Sequence, residues 1–172
     1  SITSSLETPN ASLITMQGGD SIAQNIWIQD SAITRVHGIV LNITSFAAGS
    51  GTNDSSQYIQ IRNTTMKQLV IPTGVLFLNM TSRGSQSVEL VGSTWEDCQG
   101  TSTSMLGNIL QAQHLEQLAV TNCQFQQNTK LGALFASTSQ SGTITFTSNR
   151  FIHNQAMGAV LSFDGNPLLR FV

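Results

Sequence analysis

Five segments of this chain share one pattern: apolar, any, apolar, any, small polar, any, any, large apolar. They begin at Ile26, Ile59, Val88, Leu118 and Ile144. The fifth position holds Asp30, Asn63, Gly92, Asn122 or Ser148, and the eighth holds Ile33, Met66, Trp95, Phe125 or Phe151. A glycine and a short apolar run follow each segment: Gly38-Ile39-Val40-Leu41, Gly74-Val75-Leu76-Phe77, Gly107-Asn108-Ile109-Leu110, Gly132-Ala133-Leu134-Phe135 and Gly158-Ala159-Val160-Leu161. The interval between segments, 26 to 33 residues, lies in the range of solenoid repeats.

The pattern has a mechanical meaning. Apolar residues two apart point to the same side of a strand, so the first and third positions face inward. The fifth position carries residue types that tolerate turn or left-handed backbone, and the chain bends there. The eighth is a large plug on the next short strand, and the glycine turns the corner into a third strand. One such circuit cannot close a core, but stacked circuits can. The expectation is therefore an all-β, right-handed, single-stranded parallel β-helix of about five to six rungs. Leu13-Ile14-Thr15-Met16 reads as the last strand of an earlier rung, and Leu168 to Val172 as a rung just beginning. Residues 47–57, rich in Gly, Ser, Thr and Asn, read as a protruding loop. Residues 1–172 form a single solenoid domain, a section of a longer protein or of a head-to-tail assembly. A β-sandwich also has many short strands, but it predicts hairpins and no fixed order of landmarks.

Composition agrees with stacked strands. Only 9% of residues are charged while 40% are hydrophobic, so hydroxyls and amides must solvate the surface, which disfavours both disorder and charged amphipathic helices. The net charge of −2, without a Lys/Arg cluster, argues against nucleic acid. No apolar run reaches membrane-spanning length, so no membrane insertion is expected. The first residues lack a basic segment followed by an apolar one, which puts any signal peptide upstream or already removed.

Phe125-Gln126-Gln127-Asn128 and Phe151-Ile152-His153-Asn154 both read Phe-x-x-Asn and are soon followed by Gly132-Ala133-Leu134 and Gly158-Ala159-Val160. This resembles the repeats of polymorphic outer-membrane proteins and of related protist surface proteins, which pair Phe-x-x-Asn with a Gly-Gly-Ala-aliphatic box. Here the box has one glycine, and the first three repeats match in outline only. The resemblance implies a β-helix displayed at a surface and engaged in adhesion.

Candidate sites are few. Asn10, Asn42, Asn53, Asn63 and Asn79 begin Asn-x-Ser/Thr sequons, so a eukaryotic source would make this a secreted or cell-surface chain carrying N-glycans. Asn42 and Asn79 are expected just after the glycine strands at nearly the same corner, Asn53 in the long loop, and Asn63 at a turn where a structural role competes. Trp27 points outward and is a possible surface contact. The acids Asp30, Asp54, Glu89 and Asp164 are scattered, and the adjacent Glu96-Asp97 pair reads as a solvated turn. No catalytic constellation is expected, no cofactor, and no metal at His37, His114 or His153. Cys98 and Cys123 lie on adjacent rungs at different points of the circuit. That suits the roughly 7 Å Cα limit of a disulfide poorly, and the sequence leaves their pairing open.

A non-enzymatic, extracellular structural or adhesive protein follows, with end-to-end copies of itself or flanking rungs as partners and a filament subunit as one form of it. A carbohydrate-binding or carbohydrate-cleaving solenoid of the pectin-lyase kind is the alternative.

Overall fold

In the computed structural model, residues 2–3, 12–18, 24–45, 55–80, 84–101, 108–113, 115–140, 142–165 and 167–172 are described. A partial circuit comes first, from β1 (Ile2–Thr3) and β2 (Ser12–Gly18). The next circuit holds β3 (Gln24–Gln29), β4 (Ala32–Thr34) and β5 (Ile39–Ser45). It is followed by β6 (Ser55–Arg62), β7 (Thr65–Lys67), the short β8 (Val70–Ile71) and β9 (Gly74–Met80). Then come β10 (Gly84–Val91), β11 (Thr94–Glu96), β12 (Gln99–Gly100) and β13 (Asn108–Gln113). The circuits of β14 (Leu115–Thr121), β15 (Gln124–Gln126), β16 (Phe135–Gln140) and of β17 (Thr143–Thr147), β18 (Arg150–Ile152), β19 (Leu161–Gly165) follow, and β20 (Leu168–Phe171) opens one more.

Strands of successive circuits pair in parallel into three six-stranded sheets: β3-β6-β10-β14-β17-β20, β1-β4-β7-β11-β15-β18 and β2-β5-β9-β13-β16-β19. A parallel β-solenoid results. The sequence landmarks fall into register as expected. Ile28, Ile61, Leu90, Val120 and Phe146 form one column, continued by Phe171. The plugs Ile33, Met66, Trp95, Phe125 and Phe151 form another. Leu13 to Met16 and Leu168 to Phe171 are the strands foreseen. Of the foreseen loop, 47–54 lie outside the described residues, whereas Ser55–Gln57 already belong to β6 and Gln57 is buried.

The interior changes character along the axis. Early circuits bury Ile33, Leu41, Ile59, Ile61 and Met66, and later ones bury rings. Trp95, Phe125 and Phe151 stack along the plug column, with centroids 6.2 and 5.1 Å apart. Phe135 meets Phe125 and Phe146 edge-on at 5.3 and 5.4 Å. Offset and edge-on pairs are the favourable ring geometries.

Two corners recur as left-handed in successive circuits, and Lys130 (φ 55°) adds a third in that of β14. Asp30, Asn63, Gly92, Asn122 and Ser148, the expected bend residues, have φ between 49° and 58°. Arg35, Gln68, Asp97, Gln127 and His153 also have φ between 51° and 57°, and of these only Asp97 and His153 are residue types enriched in that conformation. Each such residue costs roughly 1–2 kcal/mol, and the stacked backbone holds it there. Arg35, Gln68, Asp97 and Gln127 donate their N–H groups to Lys67, Glu96, Gln126 and Ile152 one circuit on, at 3.0–3.1 Å. Among the described glycines that open the third strand, only Gly38 has a positive φ (142°), so these second corners do the bending assigned to glycine. Close approach explains glycine elsewhere. A Cβ on Gly142 would lie 1.6 Å from the Glu116 carbonyl oxygen, and one on Gly100 2.0 Å from that of Lys130.

The asparagine of each Phe-x-x-Asn motif clamps the preceding circuit. Asn128 Oδ1 accepts the Cys98 N–H at 3.0 Å while its Nδ2 donates to the Trp95 carbonyl at 3.0 Å. Asn154 does the same to Asn128 N and the Phe125 carbonyl, at 3.3 and 2.8 Å. Asn149 repeats the device at the first corner, on Cys123 N and the Val120 carbonyl. Ser93 does so two circuits earlier with a hydroxyl, accepting from Thr64 N at 3.1 Å and lying 3.4 Å from the Ile61 carbonyl.

Two contrasts in urea denaturation test this reading. Asn128→Ala strands a buried N–H and a buried C=O and should cost about 3 kcal/mol. Trp95→Ala should cost about 3–5 kcal/mol. Trp95→Phe should stay within about 1 kcal/mol of the parent, because the Trp95 Nε1 is buried without a partner among the described residues and its loss offsets part of the volume lost.

Candidate functional site at the exposed end of the solenoid

Both inward columns of the first sheet run out onto β20, which pairs with β17 alone. Beyond it the cross-section is open. Phe171 is 63% exposed and Phe151 42%, whereas Phe125 one circuit deeper is fully buried. Phe146, Phe151, Val160, Leu161, Phe171 and Val172 line a concavity of about 550 Å³. Ser148 and Asn149 stand at its margin. Stacking of Phe171 on Phe146 (5.4 Å, 9°) orients its ring as Phe146 is oriented, so the column is continued rather than covered. This face therefore combines a free strand edge with the apolar positions that a following rung would fill. At the other end Ile14, Met16, Ile26 and Ile28 are only half-buried.

The glycosylation candidates are dispersed. Asn42 lies inside β5, not after it, between buried Leu41 and Ile43, and its Oδ1 accepts the Thr44 hydroxyl at 3.4 Å. Asn79 lies inside β9 and pairs in register with Thr44, so the two sequons occupy neighbouring strands with a two-residue offset. Asn63 is exposed at a left-handed corner, and its Nδ2 donates to Asp30 Oδ1 at 3.1 Å. Asn10 and Asn53 lie outside the described residues. Trp27 points outward, 63% exposed.

Glu96 and Asp97 part company: Glu96 pairs with Lys67 at 3.1 Å, and Asp97 accepts from Gln99 at 3.2 Å. His37 is half-buried, with its Nε2 lacking a partner among the described residues, His153 is exposed, and His114 lies outside the described residues. Among the described residues no three His, Cys, Asp or Glu side chains gather as metal ligands. Cys98 and Cys123 are both buried free thiols. They belong to different corner columns, and burial pushes the Cys98 thiol up to about 12 and Cys123 upward as well.

One cluster escaped the linear reading, in which Glu89 stood alone on its strand. Register sets Glu89 beside Gln60, and Tyr58 two residues before Gln60 leans across to the same carboxylate. Tyr58 Oη donates to Glu89 Oε2, and Gln60 Nε2 donates to the same oxygen at 2.6 Å. The Tyr58 bond first, then that of Gln60, lowers the Glu89 pKa, and the bond to Glu89 raises that of Tyr58. Aligning the repeats strand by strand, rather than by inward positions only, would have revealed it.

No family model, no curated protein and no solved structure matches this chain.

The cysteines give a direct check on packing. Neither thiol should react with an alkylating reagent in the native protein at neutral pH, and both should react in denaturant. Because the folded Cys98 thiol titrates near 12 against an ordinary 9.0, its contribution to stability is complete below pH 9 and fades as pH rises toward 12. Denaturation midpoints should therefore fall over that window, and fall less in Cys98→Ala.

Proposed function

We propose that this chain is a non-enzymatic structural protein of the extracellular space, a rigid rod lengthened at its end faces by copies of itself stacked end to end or by flanking rungs of the same protein. The observation that supports the reading most is the exposed end of the solenoid. Its edge strand and apolar columns match in type and spacing what the opposite end presents. Extending the register would bring β3 of a second copy beside β20, with Ile26 over Leu169 and Ile28 over Phe171, the pairing that already relates β17 to β20. A head-to-tail contact of this kind does not close on itself and gives a filament.

Secretion and N-glycosylation belong to the same proposal and rest on the sequons. Of the two sequon asparagines with described side chains, Asn42 is the better-placed acceptor, because it points away from the core on a strand face, whereas the side-chain nitrogen of Asn63 is engaged. The Phe-x-x-Asn clamp fits the repeats of polymorphic outer-membrane proteins and protist surface proteins, and a kindred role in surface display is part of the reading.

Sedimentation velocity across a concentration series, with negative-stain imaging of native material, tests it. Stacking predicts concentration-dependent rods with a periodicity along the axis, lost in Phe171→Glu, which places an unpaired charge on the stacking face. A monomer at all concentrations overturns the self-stacking. Intact mass before and after enzymatic deglycosylation, on material from the native source, should fall by the mass of at least one glycan.

A further inference from the structure

We propose that the outward face of β3, β6 and β10 is a binding platform for a neutral pyranose oligosaccharide, with Trp27 as the stacking floor and Glu89, held by Tyr58 and Gln60, as the hydroxyl acceptor. The platform faces outward on the flank of the solenoid, and only its β3 edge adjoins the strand that stacking would add.

The chemistry of the face selects the ligand. Trp27 is 63% exposed and lies in register with Gln60, with Asn25 and Gln29 two residues to either side on its own strand. An apolar protein partner calls for a contiguous apolar patch, and this indole is ringed by amides instead. A pyranose has one C–H face and a rim of hydroxyls: the indole suits the first, and amides with a carboxylate suit the second. Glu89 Oε2 is taken by Tyr58 and Gln60, while its Oε1 receives no hydrogen bond from the described residues. Gln29 Nε2 donates to Gln60 Oε1 at 2.9 Å, so one chain of bonds runs from β3 to β10. Side chains already fixed in this way have little rotamer entropy left to lose on binding.

Length and charge of the ligand follow. Trp27 and Glu89 occupy the same row two strands apart, about 10 Å at ordinary strand spacing, which exceeds a single sugar ring. Further along that row stand Ala119 and Thr145, so the featured surface ends there. An ionised Glu89 and a net charge of −2 disfavour polyanionic sugars.

Titration of the full chain with hexasaccharides of β-linked glucose, xylose and N-acetylglucosamine, and with hexagalacturonate, tests the proposal through tryptophan fluorescence. Trp95 is wholly buried and supplies a constant background, so any change reports Trp27. A saturable change is expected with at least one neutral hexasaccharide and none with hexagalacturonate. Trp27→Ala should abolish binding measured by calorimetry, and Glu89→Gln should weaken it at least about tenfold, or roughly 1.4 kcal/mol. Both variants should keep the parent circular dichroism and denaturation midpoint, since neither side chain is in the core. No saturable change with any neutral hexasaccharide overturns the proposal. So does undiminished binding by Trp27→Ala, or preferential binding of hexagalacturonate.

Discussion

Hydrogen bonding between successive circuits is the constraint on which the rest of this molecule depends. A strand in a parallel stack satisfies its backbone only through the circuits before and after it. The ladder continues past the strands and around the corners. Asp30, Asn63, Gly92 and Asn122 donate to Arg62, Val91, Thr121 and Thr147 one circuit ahead. Thr65, Thr94, Gln124 and Arg150 donate back to Ser31, Thr64, Ser93 and Cys123 one circuit behind. A corner residue that left the left-handed region would break a bond in each direction. Two columns of left-handed residues are therefore retained, although only Gly92 among them is a glycine.

The same constraint explains the polar groups at buried corners. At Cys98, Cys123 and Asn128 the backbone N–H meets no neighbouring carbonyl, and each is met by a carboxamide from the circuit ahead. The amide reaches back to a carbonyl three residues earlier, so one side chain satisfies one donor and one acceptor. A hydroxyl at Ser93 does this over a shorter reach. Hydroxyl, thiol and amide thus succeed one another down a column for the same reason: the position is interior, and the backbone beside it needs a partner.

Positions whose chemistry and conformation agree were legible in the sequence. The inward columns, the plugs and the first corner could be placed because apolar alternation and bend-forming residues state their roles directly. The second corner was not legible, because Arg35, Gln68 and Gln127 have no preference for the conformation they adopt and are held in it by the next circuit. Gly100 and Gly142 were invisible for a related reason. Each is required by a backbone from another circuit, Lys130 and Glu116, and no local pattern encodes that approach. The Tyr58–Gln60–Glu89 cluster failed to appear because its members are spread over 58–89 in sequence and only register unites them. At the exposed end, by contrast, Leu168 to Val172 could be read as an opening rung, since that inference needed only the repeat itself.

Register also separates what the molecule does with its inside and outside. The inward columns are apolar or carry polar groups bonded to a neighbouring circuit, with the buried Trp95 Nε1 an exception, so the interior has little freedom to vary without loss of stacking. The outward rows carry no such demand. Along the row through Trp27 the residues are Trp, Gln, Glu, Ala, Thr and Arg, while the inward row one residue away is apolar throughout. A surface of this kind can hold a binding group at a fixed height and spacing without disturbing the core, because β6 and β10 beneath it are paired on both sides and β3 is paired along its length with β6. Trp27 and Glu89 stand on strands whose positions are set by Ile28, Ile61 and Leu90 in the interior. The register that stacks the circuits is thus also what would hold an indole and a carboxylate two strands apart, at a separation suited to a ligand longer than one ring.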